Sequence, residues 1–163
     1  MTPRTTLHLV CGKVASGKST FARSLAVKLG TVLVQEDVWL SGLYADELST
    51  LRDYVRCSER LRQTMKPHIV ELLQNGLNVV LDFPANTLEI RHWMKTLIET
   101  AECDHQLHVF DVSDDVCKTR LRSRNKSGDH QFSVSEAEFD RISSHFQPPS
   151  EEEGFKMTVY SSQ

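Results

Sequence analysis

The residues Gly12-Lys13-Val14-Ala15-Ser16-Gly17-Lys18-Ser19 put a lysine and a hydroxyl directly after the second of two spaced glycines. The pattern G-x-x-x-x-G-K-[ST] is suited to holding phosphate, because its glycines let successive backbone N–H groups turn inward toward anionic oxygens. A helix starting at the end of such a turn adds its positive N-terminal pole to the same anion. Lys18 is then placed to reach the β- and γ-phosphates of ATP, and Ser19 to offer its hydroxyl to Mg²⁺. The expected nucleotide-binding segment comprises Gly12, Lys13, Val14, Ala15, Ser16, Gly17, Lys18, Ser19 and Thr20, with Lys18 also counted as catalytic.

Phosphoryl transfer also calls for a carboxylate beside the group that accepts the phosphate. Asp37, next to Glu36 and just past the second apolar strand, is the candidate for orienting or deprotonating an acceptor hydroxyl. The competing reading is that the pair caps the helix or turn that follows. Asp82, closing the run Val79-Val80-Leu81-Asp82, is a candidate for holding Mg²⁺ through water or touching the acceptor, or else a turn residue. Lys118, Arg120, Arg122, Arg124 and Lys126 put five bases into nine residues with no acid between them. On a helix Arg120 and Arg124 share one stripe, and Lys118, Arg122 and Lys126 share another. Arg120 and Arg124 are expected to contact ATP and act catalytically, closing over its β- and γ-phosphates from a lid at about residues 118–132. A solvated basic face or a nucleic-acid backbone patch is the alternative. Arg52, Arg56, Arg60 and Arg62 are diluted by Asp53 and Glu59 and read as a solvated helix face.

The elements that must carry these residues alternate between strand-like and helix-like apolar periods, which predicts an α/β fold with a mainly parallel sheet. Strands are expected at Leu7–Cys11, Val32–Gln35, Asn78–Asp82, His105–Asp111 and Phe155–Tyr160. The first helix is expected at Lys18–Leu29, with Phe21, Leu25, Ala26 and Leu29 on one face and Gly30 ending it. Residues 46–74 contain Pro67 and predict two helices or a kinked one, ending at Asn75-Gly76. Further helices are expected at Leu88–Glu102, at Asp114–Arg124 behind a Ser113 cap, and at Ser135–His145, with a mobile loop over Asn125–Phe132. Trp39 and Trp93 read as lining for an acceptor pocket or as core.

Composition narrows the function classes. The chain has 163 residues, 39% hydrophobic and 25% charged, which predicts one domain over 1–163 with a real core. The net charge of −3 argues against strong whole-protein attraction to nucleic acid or anionic membrane. The N-terminus shows neither signal peptide nor spanning segment, so a cytoplasmic location is expected, and four scattered cysteines fit reduced thiols. There is no D-x-x-G, and Asn125-Lys126-Ser127-Gly128 lacks the aspartate of a guanine-reading motif, which argues against a GTPase. The Asp82 strand carries no second acid, against a motor or transporter ATPase, and no H-E-x-x-H or G-x-S-x-G supports a zinc enzyme or serine hydrolase. A compact kinase remains.

Gly12–Ser19, Gln35-Glu36-Asp37, Val79–Asp82 followed by Asn86, Arg91-His92-Trp93 and the Arg120–Arg124 stretch together resemble the small P-loop kinase superfamily. That superfamily includes chloramphenicol phosphotransferase, zeta toxin and polynucleotide kinase domains, and the nearest resemblance is to its AAA-type ATP-binding branch. The resemblance implies a three-layer P-loop fold with a five-stranded parallel sheet of order 2-3-1-4-5. It also implies Mg-ATP as donor and a hydroxyl-bearing acceptor near Asp37. In polynucleotide kinases an arginine shortly follows the strand-two aspartate, whereas here Val38, Trp39 and Leu40 follow, which favours an uncharged small molecule over a nucleic-acid end. A 5′-hydroxyl polynucleotide kinase and a slow ATPase acting as a regulatory module stand as alternatives, with no membrane partner and a monomer or homodimer expected.

Overall fold

The computed structural model describes residues 4–128 and 133–162. Five strands, β1 (Thr6–Cys11), β2 (Thr31–Gln35), β3 (Asn78–Pro84), β4 (Asp104–Val112) and β5 (Met157–Ser162), form one sheet in the order β2-β3-β1-β4-β5. Every neighbouring pair is parallel. Parallel strands need helical crossovers that cover both faces, and among the described residues six α-helices serve that purpose. They are α1 (Lys18–Ala26), α2 (Glu36–Tyr44), α3 (Leu51–Gln74), α4 (Leu88–Ala101), α5 (Asp114–Ser127) and α6 (Glu136–Ser143).

Strand alternation divides the core. Leu7, Leu9 and Cys11 of β1, with Val79 and Leu81 of β3, pack with Leu61, Met65 and Ile69 of α3 and Met94 and Leu97 of α4. On the other face His8 stacks on His108, which meets Phe21 of α1 and Tyr160 of β5. A smaller core joins Val112, Cys117 and Leu121 to Phe139 of α6. All four cysteines are buried and free.

Several boundaries depart from the sequence reading. Helix α1 stops at Ala26, and Leu29 leaves its expected apolar face and is 98% exposed. The chain tightens there through Lys28 N–H donating to Leu25 O before turning at Gly30, whose φ is 78°. Helix α2, foreseen only as a helix or turn following Glu36-Asp37, starts directly from the strand at Glu36. Helix α3 runs through Pro67 as one 24-residue element, opened by a reciprocal cap between Thr50 and Asp53. Asn125 to Ser127 belong to α5 and not to a loop, and Gly128 ends the helix at φ 69°. The rest of the expected lid loop, 129–132, lies outside the described residues. Strand β3 continues past Asp82 to Pro84, so Asp82 lies within a strand beside Gln35. Among the described residues no helix is long and apolar enough to cross a membrane.

Candidate active site

The phosphate turn joins β1 to α1. Gly17 caps the helix at φ 103°, and Ala15 adopts φ 62°, a conformation that side-chain-bearing residues rarely hold. Gly12 is fixed by space: a Cβ there would lie 2.6 Å from Ser16 Oγ and 3.0 Å from Phe110 Cβ. The Lys18 ammonium donates to Gly12 O at 2.6 Å and Lys13 O at 2.8 Å. An ammonium has three donors, so this arrangement braces Lys18 against the turn while one donor remains for a phosphate oxygen. Burial pulls the Lys18 pKa down, and the Asp82 carboxylate leads the opposing charges, which include Asp37. Lys13 does not aim its ammonium at the turn; it pairs with Asp114 at 2.6 Å. The first turn of α1 holds Ser19, half-buried, and Thr20, exposed.

The two stripes of α5 separate as helical spacing requires. Arg120 Nη1 donates to Ser16 O at 3.2 Å, which lays its guanidinium along the phosphate turn. Arg124 is partly buried, and its Nε has no hydrogen-bond partner among the described residues. Burial pulls its pKa down against the opposing charge of Asp37. On the other stripe Lys118 pairs with Asp140 at 2.8 Å and Arg122 with Glu136 at 2.7 Å, both on α6. Lys18, Asp37, Asp82 and Arg124 therefore share one field at the carboxyl end of the sheet, with Arg120 beside them on the turn.

Asp37 sits in the first turn of α2. Its neighbour Glu36 points inward, 2% exposed, and accepts hydrogen bonds from the Tyr54 hydroxyl and, at 2.9 Å, from Ser58 Oγ. Burial pushes the Glu36 carboxyl up to about 7. Arg62 joins the network by donating to Ser58 Oγ at 3.0 Å, and is 8% exposed rather than part of a solvated face. Val38, Trp39 and Leu43 of the same helix are exposed. Trp93 instead stacks on Phe83 in the core.

Beside the turn lies a cleft of about 590 Å³ walled by Ser16, Thr20, Phe21, Arg120 and Tyr160. Among the described residues no cluster of three or more His, Cys, Asp or Glu side chains could hold a metal ion by itself. A hydroxyl at Ser19 and the Asp82 carboxylate, whose charge acts on the adjacent Lys18, are donors of the oxygen type that suits Mg²⁺, which keeps several waters and draws other ligands from substrate phosphates. Sequence reasoning missed the Glu36–Tyr54–Ser58 network, whose members lie 18 and 22 residues apart with no local signal. It quoted Asn86 and Arg91 only within a family pattern and gave neither a task.

A family model described as an AAA domain matches residues 7–149. Among solved structures, the fold is similar to that of a candidate kinase from Chloroflexus aurantiacus, at 20% identity and TM-score 0.76, covering 99% of this chain and 87% of that one. It is also similar to the Mycobacterium tuberculosis APS kinase CysC, solved with AMPPNP and APS, at 19% identity and TM-score 0.64, covering 98% and 89%. Kti12 of Chaetomium thermophilum, solved with ADP-AlF3, is similar at 12% identity and TM-score 0.71, covering 95% and 88%. No curated protein matches the chain.

Proposed function

The chain belongs to the AAA domain family and has the fold of the small P-loop kinase superfamily, and we propose that it is a Mg²⁺-dependent kinase moving the γ-phosphate of ATP to a hydroxyl of a small molecule. The observation that carries this reading is the convergence of a braced Lys18, the arginines of α5 and the Asp37 carboxylate on one end of the sheet. Ser19 and Asp82 would hold Mg²⁺, which would supply charge neutralisation. Lys18 and the backbone N–H groups of the turn hold the β- and γ-phosphates, Arg120 lies over the turn, and Arg124 is placed to compensate charge near Asp37. Asp37 orients the acceptor hydroxyl and takes its proton as the new P–O bond forms and the γ–β bridge bond breaks. A loose transition state puts most of the work into positioning and electrostatics.

The acceptor side favours an uncharged, partly apolar molecule. Val38, Trp39 and Leu43 give α2, the helix that carries Asp37, exposed apolar surface, and Arg62 is turned inward to Ser58. A nucleic-acid 5′ end would want a cationic track, but Lys118 and Arg122 are committed to acids of α6. The test follows γ-labelled ATP with a panel of hydroxyl compounds that includes a 5′-hydroxyl oligonucleotide. Label on one small molecule supports the proposal; label only on the oligonucleotide, or only as inorganic phosphate at a rate indifferent to every acceptor, overturns it. Asp37→Asn should slow transfer by about 10²- to 10⁴-fold while ATP affinity stays within a few-fold; unchanged transfer removes Asp37 from its role.

A further inference from the structure

We infer that Asn86 is the positioning residue that holds the phosphate turn in its binding geometry, and that Arg91 and Glu153 in turn hold Asn86. The inference rests on the nucleotide-binding reading above and extends it to a part of the molecule that touches no substrate.

The Asn86 amide grips one residue twice. Its Oδ1 accepts from Gly12 N–H at 2.9 Å, and its Nδ2 donates to Gly12 O at 2.8 Å. That same carbonyl accepts from Lys18 Nζ at 2.6 Å. Asn86 therefore fixes the oxygen that fixes the ammonium, so the path from Asn86 to a bound phosphate is Nδ2, Gly12 O, Lys18 Nζ. Gly12 is buried, which makes both of its backbone groups expensive to leave without a partner.

Asn86 is itself held on three sides. Ala85 N–H donates to Val10 O at 3.0 Å, extending the sheet bonding past the end of β1. Gln147 N–H donates to Asn86 O at 2.8 Å, and Gln147 Oε1 accepts from Leu88 N–H at 2.9 Å. Beneath this, Arg91 is 1% exposed, with Nη1 donating to Ala85 O at 2.9 Å and Nε to Glu153 Oε1 at 2.7 Å. Lys95 Nζ donates to the Glu153 carbonyl. Segment 147–153, which follows α6, is thereby strapped across the β3–α4 loop. Glu153 matches the Arg91 charge, and Nε and Nη1 are bonded to Glu153 and to the loop that clamps Gly12, while the buried Nη2 has no hydrogen-bond partner among the described residues.

The test uses Asn86→Asp and Asn86→Ala in the full chain. Aspartate keeps the shape and the acceptor for Gly12 N–H, but turns the donor facing Gly12 O into a second anionic acceptor. The affinity for Mg-AMPPNP should fall about 10- to 100-fold in both variants, with Asn86→Asp at least as weak as Asn86→Ala. Urea midpoints measured alongside separate this loss from unfolding. A folded Asn86→Asp that binds the analogue as tightly as the wild type overturns the inference. Amide exchange at Gly12 in the unliganded wild type is a readout independent of any variant's folding. Strong protection supports the clamp, and exchange at the rate of an exposed amide overturns it. Wild-type chain that binds no nucleotide at all would overturn the functional reading, while the Gly12 amide would still report on the clamp.

Discussion

Replacing Glu36 by glutamine probes what the acceptor side of the site costs the fold. Glu36 is buried against Tyr54 and Ser58, and burial raises its carboxyl from 4.5 to about 7; the hydrogen bonds from Tyr54 and Ser58 and the charge of Arg62 oppose the rise, and Asp37 adds to it. The folded chain therefore binds this proton more tightly than the unfolded chain. Its stabilising contribution is complete below the unfolded value and is lost as pH rises through the folded one. The interval between 4.5 and about 7, at about 1.4 kcal/mol per pH unit, is worth about 3 kcal/mol between about pH 4 and about pH 8. Glutamine keeps the shape, is neutral throughout, and can accept from Ser58 while donating to the Tyr54 oxygen. Glu36→Gln should match the wild type to within about 1 kcal/mol near pH 5, and exceed it by about 3 kcal/mol near pH 8. In a chain of this size that gain raises the thermal midpoint by about 6 to 12 °C. Urea titrations at the two pH values measure the difference directly. Equal destabilisation of the variant at both values would mean that Glu36 is an ionised, net-favourable member of the network, and the reasoning would fail. A gain at high pH would mark Glu36 as a position where stability is given up beside Asp37.

Two further perturbations follow. Gly12→Ala places a methyl 2.6 Å from Ser16 Oγ and against Phe110, so the turn must shift; nucleotide titration should show at least about 100-fold weaker ATP binding, and wild-type affinity would refute the close approach. His108 is 5% exposed, bonded to His8 at 3.0 Å and to the Tyr160 hydroxyl at 3.0 Å, and burial, then the charge of His8, lowers its pKa from 6.5 to about 4. The unfolded chain takes up this proton first, so stability present above 6.5 is lost as pH falls toward 4, by up to about 3 kcal/mol, opposite in sign to Glu36. Denaturation of His108→Gln should lose less stability than the wild type over that acid range; parallel curves would show that His108 does not carry the effect.

Which parts could be read from the sequence depends on the separation of the interacting residues. The phosphate turn is written in consecutive residues, and its flanking strand and helix are short-range patterns. The two stripes of α5 follow from helical spacing, which separated Arg120 and Arg124 from Lys118 and Arg122 before any partner was known. Helix α2 was legible only as a helix or turn after Glu36-Asp37, because Val38, Trp39 and Leu43 face outward and no apolar stripe marks its buried side. Asn86 meets Gly12 across 74 residues and Arg91 meets Glu153 across 62, pairings made by strand order and strap closure rather than by local pattern. Arg62 shows the same limit: its spacing with Arg52, Arg56 and Arg60 suggests a solvated face, yet the buried Ser58 draws it inward.

Strand order also supports a division of work between the two proposed carboxylates. In the arrangement β2-β3-β1, β3 separates the strand that ends beside Asp37 from the strand that ends in the phosphate turn. Asp82, on β3 and level with Gln35 of β2, lies between the two. Lys18 responds accordingly, feeling Asp82 most among the neighbouring charges and Asp37 less, whereas Arg124 feels Asp37. A carboxylate nearer Lys18 suits the metal and phosphates of the donor, and one at the far strand, opposite Arg124 and beside Trp39, suits the acceptor hydroxyl. On the proposed kinase reading, the parallel sheet would order donor, metal and acceptor along its carboxyl edge, and the acceptor's identity would be left to the side chains that α2 and α3 present on that side.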